Sequence, residues 1–360
     1  LLACAPRMIV SHAMQDGDRE QRPSPLTAAL PLVDVDTLGI PLHNELLDAA
    51  LHTGPGDQLP PPQAVPPRES PPGGSWLLSA QSACPFRAVG KYRLRADPLP
   101  EPSHAPSPAL LGKLVHDLLR RVWDEITSAE QLRSLDDAAL LALVERHARD
   151  TLVDLGRQRP DVFTDGFVEL EVQRLCELLL DWLDLEKQRA LPFRVLHLEQ
   201  SSTTRIGGLS LRLQADRVDR LDDGSLVIID YKTGENAAAR GWLEARPTDL
   251  QVPLYCVEAQ QPAAALIARL HARSSVFRGE AQDAGIVPGI DAFTGDEVIA
   301  DWHQLLQHWR TALQQLAAEI TAGRAAIEPQ EAKTCTYCEL APLCRISSLQ
   351  QGSAREDGDD

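Results

Sequence analysis

The stretch LSLRLQADRVDRLDDGSLVIIDYKTG, residues 209–234, decides the fold class because it reads as two strands joined by a turn. The residues DDGS between the two apolar runs are a hairpin signal. The second run ends with Asp230 and Lys232, and alternate residues of a strand share a face, so these side chains lie about 6.6 Å apart on one side. Either the strand leaves the core and both charges face solvent, or the two residues form a site.

The length of the turn decides whether Asp216 joins them. A two-residue turn at Asp223-Gly224 would put Asp216 opposite Tyr231, facing away from Asp230. A three-residue loop over 222–224, with its glycine left-handed, puts Asp216 directly opposite Asp230, with β-carbons roughly 5 Å apart. We predict the three-residue loop.

This pair of aspartates indicates a metal site. Two carboxylates at such a short separation repel each other unless a divalent cation lies between them. A hard cation held by Asp216 and Asp230 would activate water and offset charge on a phosphorus atom. Lys232 would orient the water or stabilise the phosphorane. The hairpin alone leaves two readings open: a site for phosphodiester hydrolysis, or a strand end whose charges face solvent.

The pattern around the hairpin predicts an α/β protein. Apolar residues recur with helical period upstream of it, strands occupy the centre, and helices return downstream, the last closed by Gly323. No GxxxxGK[ST] phosphate loop occurs in the sequence. The predicted helices span 110–126, 136–155, 167–190, 248–260 and 297–322, and the predicted strands span 194–206, 209–221 and 225–234.

Bulk composition limits the possible functions. The 360 residues carry 35 basic and 52 acidic side chains, a net charge of −17, which argues against general electrostatic binding of nucleic acid or anionic lipid. Aromatic residues make up only 4%, so few platforms for stacking bases are expected. No apolar run is long enough to span a membrane. Seven cysteines without a secretory signal predict a reducing compartment, the cytoplasm.

Composition also predicts the domain boundaries. Residues 54–75 are dominated by proline and glycine and are predicted to be a linker. Residues 1–53 are too few to fold alone and are expected to be the remnant of an upstream domain. The sequence lacks an initiator methionine, which suggests a piece of a longer protein. The main domain is predicted over 76–346, and the acidic tail, 347–360, is expected to be disordered.

The hairpin resembles the RecB-type branch of the PD-(D/E)XK nuclease superfamily, whose paired strands carry G-x-x-D-R-x-D and D-Y-K-T-G. The resemblance implies a restriction-endonuclease-like core, a mixed central sheet flanked by helices. It also implies that Asp216 and Asp230 bind Mg²⁺ or Mn²⁺ and that Lys232 is the catalytic lysine. Asp219 looks more like a structural partner of Arg217.

Two further motifs of this branch occur in order. GKLVH matches a helical G-x-x-x-H, which implies that His116 is a third metal ligand; the alternative is a solvated polar face shared with Lys113 and Arg120. QVPLY matches Q-x-x-x-Y, so Gln251 and Tyr255 would contact DNA or position the lysine. Pro253 between them requires that the helix begin nearby. Glu199 stands where the family often has a glutamate.

The cysteines carry the sharpest resemblance. CTYCELAPLC supplies Cys335, Cys338 and Cys344, and Cys84 lies far upstream in SACPF. Three close thiols need a fourth ligand, and spacing alone leaves zinc and iron–sulfur open. The layout resembles AddB-type subunits of helicase–nuclease complexes, which implies a 4Fe–4S cluster that staples the two ends of the domain. Cys176 and Cys256 are expected to be core thiols.

Together these motifs imply a DNA exonuclease that acts with a helicase partner in double-strand-break repair and recombination. The low aromatic content suggests that a partner supplies much of the DNA affinity. A different class of function is also open: a catalytically silent DNA-binding or partner-docking module with a structural cluster. The intact Asp216, Asp230 and Lys232 argue against that alternative.

Overall fold

The computed structural model describes residues 8–16, 18–38, 70–99, 105–157, 159–160, 162–234, 241–272, 274–336 and 338–346. The chain divides into two compact units, Leu1–Pro61 and Pro62–Asp360. Most of the predicted linker and the predicted acidic tail lie outside the described residues. In the first unit, β1 (Gln15–Asp16) and β2 (Arg19–Glu20) form a short antiparallel pair, and a 3₁₀ turn covers Val35–Leu38.

The second unit contains a mixed five-stranded sheet in the order β3-β4-β5-β6-β7. All neighbouring strands are antiparallel except β5 and β6, which are parallel. This arrangement confirms the predicted α/β class with a mixed central sheet. The strands are β3 (Phe193–Ile206), β4 (Leu209–Leu221), β5 (Leu226–Lys232), β6 (Pro262–Arg269) and β7 (Val276–Ala281).

Helices cover both faces of this sheet. A π-helical turn at Val89–Arg93 and a 3₁₀ turn at Ala332–Cys335 accompany them. No helix in the described ranges is both long and apolar enough to cross a bilayer. The helices are α1 (Ser75–Ala83), α2 (Pro85–Ala88), α3 (Pro108–Glu125), α4 (Ala129–Ser134), α5 (Asp137–Gly156), α6 (Asp165–Lys187), α7 (Gln251–Glu258), α8 (Trp302–Thr321) and α9 (Ala341–Cys344).

The predicted helices form close to their expected bounds because the sequence supplies caps as well as periodicity. The Ser107 hydroxyl accepts a hydrogen bond from the backbone of Leu110 at the start of α3, and Asp136 caps α5 in the same way. Asp301 caps α8, and Gly323 follows its end with a φ of +73°. Helix α7 is shorter than predicted and begins at Gln251, so Pro253 lies in its first turn, where proline is tolerated.

Two apolar cores lie on opposite faces of the sheet. Helices α3, α5 and α6 pack with Val227, Ile229 and Tyr231 on one face. Helices α1, α7 and α8 pack with Ile228 on the other. The alternation along β5 assigns its odd-numbered residues to one core and its even-numbered residues to the other. Asp230 and Lys232 therefore face the α1 and α7 side, at the carboxyl end of the strand.

A buried ionic network reinforces the α6 side. Arg217 donates to Asp219 at 2.7 and 2.8 Å and to Glu186 at 2.7 Å. Arg189 donates to Asp219 at 2.6 Å and to Glu186 at 3.1 Å. All four side chains are essentially inaccessible, and two positive charges balance two negative ones. The predicted pairing of Asp219 with Arg217 is confirmed.

Candidate active site

The β4–β5 hairpin has the predicted three-residue loop. Leu221 donates its backbone N–H to Ser225 at 2.9 Å, and Gly224 between them has a φ of +89°. The ladder pairs Arg217 with Ile229, so the next step along it places Asp216 opposite Asp230. The predicted register is confirmed, and the two-residue alternative is wrong.

A third carboxylate joins this row from β3. Leu198 pairs with Arg217 and Gln200 with Ala215, so Glu199 falls level with Asp216. Glu199 has a φ of +47°, a conformation that non-glycine residues seldom adopt and that is found at functional sites. Three neighbouring strands thus align Glu199, Asp216 and Asp230.

Helix α3 brings His116 onto this row of carboxylates. Its Nδ1 lies 3.4 Å from Asp216 Oδ2 and 3.7 Å from Glu199 Oε1. Its Nε2 lies 2.9 Å from the backbone oxygen of Tyr231, which fixes the ring. His116, Glu199 and Asp216 each offer a ligand atom within 4.8 Å of the others. The alternative of a solvated polar face therefore does not hold for His116.

Electrostatics in the site reflect these crowded charges. Burial by itself would lower the pKa of His116, but hydrogen bonds to Asp216 and Glu199 outweigh it and raise the pKa to about 10. Burial and the neighbouring Asp216 raise the pKa of Asp230 to about 7, against the opposing effect of Lys232. The site is short of positive charge, which a divalent cation would supply.

Asp230 is bonded through only one of its oxygens. Its Oδ2 lies 2.6 Å from Lys232 Nζ. Its Oδ1 is buried and has no hydrogen-bond partner within the described part of the chain. By contrast, Asp216 Oδ2 accepts the backbone N–H of Tyr231 at 2.7 Å. An unpaired buried carboxylate oxygen is costly, so Asp230 Oδ1 is a free ligand position.

These side chains line an open cleft of about 520 Å³ on the α1 side of the hairpin. Gln251, at the start of α7, lines it too and donates to the backbone oxygen of Gln214 at 3.3 Å. Tyr255, one turn later, hydrogen-bonds Ser202 and the backbone of Ala215, and burial raises its pKa. Of the predicted pair, Gln251 faces the cleft, whereas Tyr255 braces β3 and β4.

Two residues near the site carried no signal that the sequence analysis used. Burial raises the pKa of Asp249, and Lys232 opposes that rise, which places the lysine between two carboxylates. Asp249 precedes Gln251 as a helix cap would, so sequence alone assigns it to a surface. Trp76 also lines the cleft. Nothing around it in sequence distinguishes it from a core tryptophan.

The four predicted cluster cysteines gather at a second place. Cys84, Cys335, Cys338 and Cys344 line one small cavity, and none of them forms a disulfide. Apolar side chains, including Phe86, complete its wall. Cys176 and Cys256 are buried in the two cores, as predicted. Cys4 lies outside the described residues.

The chain belongs to the PD-(D/E)XK nuclease superfamily, whose family model matches residues 78–345. The mixed sheet, the aspartates on neighbouring strands and the lysine two residues after the second one agree with that membership. The protein is therefore a nuclease by family, with residues suited to a divalent metal.

Ten chains of solved structures match this one significantly, and two of them show how low the similarity is. One, from Eubacterium rectale, is provisionally named an exonuclease; it is 11% identical, with a TM-score of 0.35, over 74% of this chain and 86% of that one. The other is SSO0001, 11% identical with a TM-score of 0.26, over 75% of this chain and 95% of that one. No curated protein matches significantly. Membership of the family rests on the family model alone.

Proposed function

We propose that this protein is an Mg²⁺- or Mn²⁺-dependent exonuclease that hydrolyses DNA phosphodiester bonds. One observation carries the proposal: carboxylates from three adjacent strands converge with His116 on one cleft, next to Lys232. His116, Glu199, Asp216 and Asp230 would hold the cation. Relative to the ligand set predicted from sequence, Glu199 is added.

The donor set fits a hard divalent cation. Carboxylate oxygens are the ligands that Mg²⁺ and Mn²⁺ prefer, and one imidazole is compatible with both. The unpartnered Oδ1 of Asp230 supports the same assignment, because a buried oxygen without a hydrogen bond would gain a partner. Because Oδ2 of Asp230 pairs with Lys232, Oδ1 is the oxygen that remains available to a cation.

Residues of the chain then divide the chemistry of hydrolysis between them. A bound cation would lower the pKa of water and offset charge on the phosphoryl oxygens. Lys232, held by Asp230, would donate a hydrogen bond to the attacking water or to a phosphoryl oxygen. The water oxygen would bond to phosphorus and release a proton to solvent, one phosphorus–ester bond would break, and the leaving alkoxide would take a proton from solvent. Gln251 would orient the DNA, while Tyr255 keeps β3 and β4 in place.

The four thiols support a second proposal, a 4Fe–4S cluster. Cys84, Cys335, Cys338 and Cys344 would hold the cluster, which would tie the two ends of the domain together. Four thiolates are also a ligand set that zinc accepts, so zinc is the alternative. The cavity's thiols and apolar wall fit such a cluster.

The wider role is also a proposal. The cysteine layout and the acidic net charge of −17 support action beside a helicase subunit that delivers DNA ends, in double-strand-break repair in the cytoplasm. A partner would supply positive surface that offsets the net negative charge of this chain.

Cleavage assays test the proposed activity. Wild type should degrade linear DNA in the presence of Mg²⁺ and leave closed circular DNA intact, and Asp230→Ala should lose at least about 100-fold in rate. Asp222→Ala, an exposed change in the loop of the same hairpin, should keep full activity. Equal rates for wild type and Asp230→Ala would overturn the proposal. Tight DNA binding without any cleavage would favour the silent docking module instead.

A further inference from the structure

Trp76 differs from every other tryptophan of the chain. Of six tryptophans, five are at most 7% exposed and pack in the two cores, whereas Trp76 is 53% exposed. It is the second residue of α1 and lines the same cleft as the acidic residues. The described lining of this cleft contains no other Phe, Tyr or Trp.

A tight glycine turn holds Trp76 at the cleft. Gly73 and Gly74 have φ values of +104° and +52°, which favour glycine. A β-carbon on Gly73 would lie 2.4 Å from the Tyr92 ring, and one on Gly74 would lie 2.2 Å from the backbone oxygen of Arg212. The turn is thus packed against β4 on one side and Tyr92 on the other. Trp76 donates its backbone N–H back to Gly73 at 3.0 Å. The position of the indole is therefore set by packed backbone.

Trp76 is not needed to hold the lysine. Lys232 Nζ lies 5.4 Å from the Trp76 ring centroid, within the range of a cation–π contact. The same ammonium already pairs with Asp230 at 2.6 Å, which fixes it more strongly. More than half of the surface of the Trp76 residue remains accessible beside the lysine. The indole is therefore open to a ligand that enters the cleft which it lines.

Resting on the proposed nuclease function, we propose that Trp76 stacks on a base next to the scissile phosphate, so that the substrate of this cleft is single-stranded DNA. Stacking on an aromatic ring needs an open base face, which unpaired strands offer and the interior of a duplex does not. Arg212 lines the same cleft and can contact the flanking phosphate. The low aromatic content predicts few platforms for stacking bases, and Trp76 supplies one at the cleft itself.

Kinetics on a single-stranded oligonucleotide test this role. Trp76→Ala should raise KM about 10-fold with little change in kcat, and Trp76→Phe should restore most of the loss. Leu170→Ala, which removes a side chain 69% exposed on α6, is the control and should match wild type. For the wild type, an oligonucleotide that lacks the contacted base should raise KM as much as Trp76→Ala does on the intact oligonucleotide. Combining the variant with that oligonucleotide should raise KM no further.

Binding provides a second readout that needs no cleavage. In the Asp230→Ala background, single-stranded DNA should quench part of the tryptophan emission, and Trp76→Phe should abolish that quench. If wild type cleaves but Trp76→Ala keeps its KM, or loses only kcat, stacking is wrong and the nuclease proposal stands. If wild type cleaves nothing, the nuclease proposal fails. In that case the fluorescence experiment tests Trp76 separately. No quench on adding single-stranded DNA would overturn stacking, and a quench that Trp76→Phe abolishes would support stacking.

Discussion

At the scale of single residues, the site balances four acidic groups against few cations. Glu199, Asp216, Asp230 and Asp249 surround Lys232 and His116. Burial strengthens every one of these interactions, because the local dielectric is lower than that of water. The pKa of Asp230 rises to about 7 for this reason. Such perturbed pKa values cluster at catalytic sites.

The charge of Lys232 should be needed for catalysis rather than for folding. Lys232→Met keeps the length of the side chain and removes the ammonium, so kcat should fall about 100- to 1,000-fold. The free energy of unfolding should fall by about 1–3 kcal/mol, because the buried Asp230 loses its ion-pair partner, but the domain should still fold. Steady-state kinetics and thermal unfolding measure the two effects. Lys187→Met, on α6 and outside the cleft, is the control; equal kcat for both variants would contradict the assigned role.

At the scale of elements, the hairpin was predictable to the residue because local chemistry determines it. The sequence DDGS provides the left-handed glycine of a three-residue loop, and that loop sets the register that places Asp216 opposite Asp230 despite their mutual repulsion. Capping serines and aspartates likewise define α3, α5 and α8. Where turn and cap residues are present, sequence fixes structure closely.

Strands β6 and β7 were not predicted from the sequence, and for β6 the physical reason is its burial. β6, PAAALIAR, is almost entirely buried between two layers of helices, so it shows no alternation of polar and apolar residues. Its alanines favour helix by propensity, and only pairing with β5 overrides them. Asp249 and Trp76 also depend on tertiary placement, so their roles were not readable from local patterns, whereas Glu199 was indicated by the resemblance alone.

The buried ionic network should be a strong stabiliser of the β4–α6 contact. Asp219→Ala leaves the buried Arg217 and Arg189 with Glu186 as their one remaining counter-charge, so the free energy of unfolding should fall by about 3–5 kcal/mol. Asp154→Ala breaks two partly exposed pairs, with Arg121 and Arg157, and should cost about 1 kcal/mol or less. Urea denaturation of both variants measures the difference. Similar losses would show that the network contributes little.

At the scale of the whole molecule, the second unit is closed by contacts between distant parts of the chain. Gln330 donates its backbone N–H to Ala83 at 2.9 Å, and Phe86 donates to Ala326 at 3.0 Å. Glu339 pairs with Lys91 at 3.0 Å and with Arg87 at 3.4 Å. These bonds bring Cys84 to the three C-terminal cysteines. A cluster there would tie together segments about 250 residues apart in sequence, where closing a long loop stabilises most in principle.

Removing one cluster thiol should therefore destabilise the whole domain as well as the cluster. Cys338→Ser should lower the iron content of anaerobically purified protein and lower Tm by about 10 °C, since ligand binding is coupled to folding. Glu339→Gln breaks the neighbouring ion pairs but keeps the thiol, so it should retain iron and most of its stability. Zinc in place of iron in the wild type, or an unchanged Tm for Cys338→Ser, would contradict the cluster.

The most direct test of the central claim is to locate the metal. Crystals soaked in Mn²⁺ should show an anomalous difference peak within ligand distance of His116 Nδ1, Asp216 and the free Oδ1 of Asp230, with Glu199 beside it. The same soak of Asp230→Ala crystals should show that peak weakened or lost. A fully ordered cleft without a peak, or Mn²⁺ bound only elsewhere, would contradict the account.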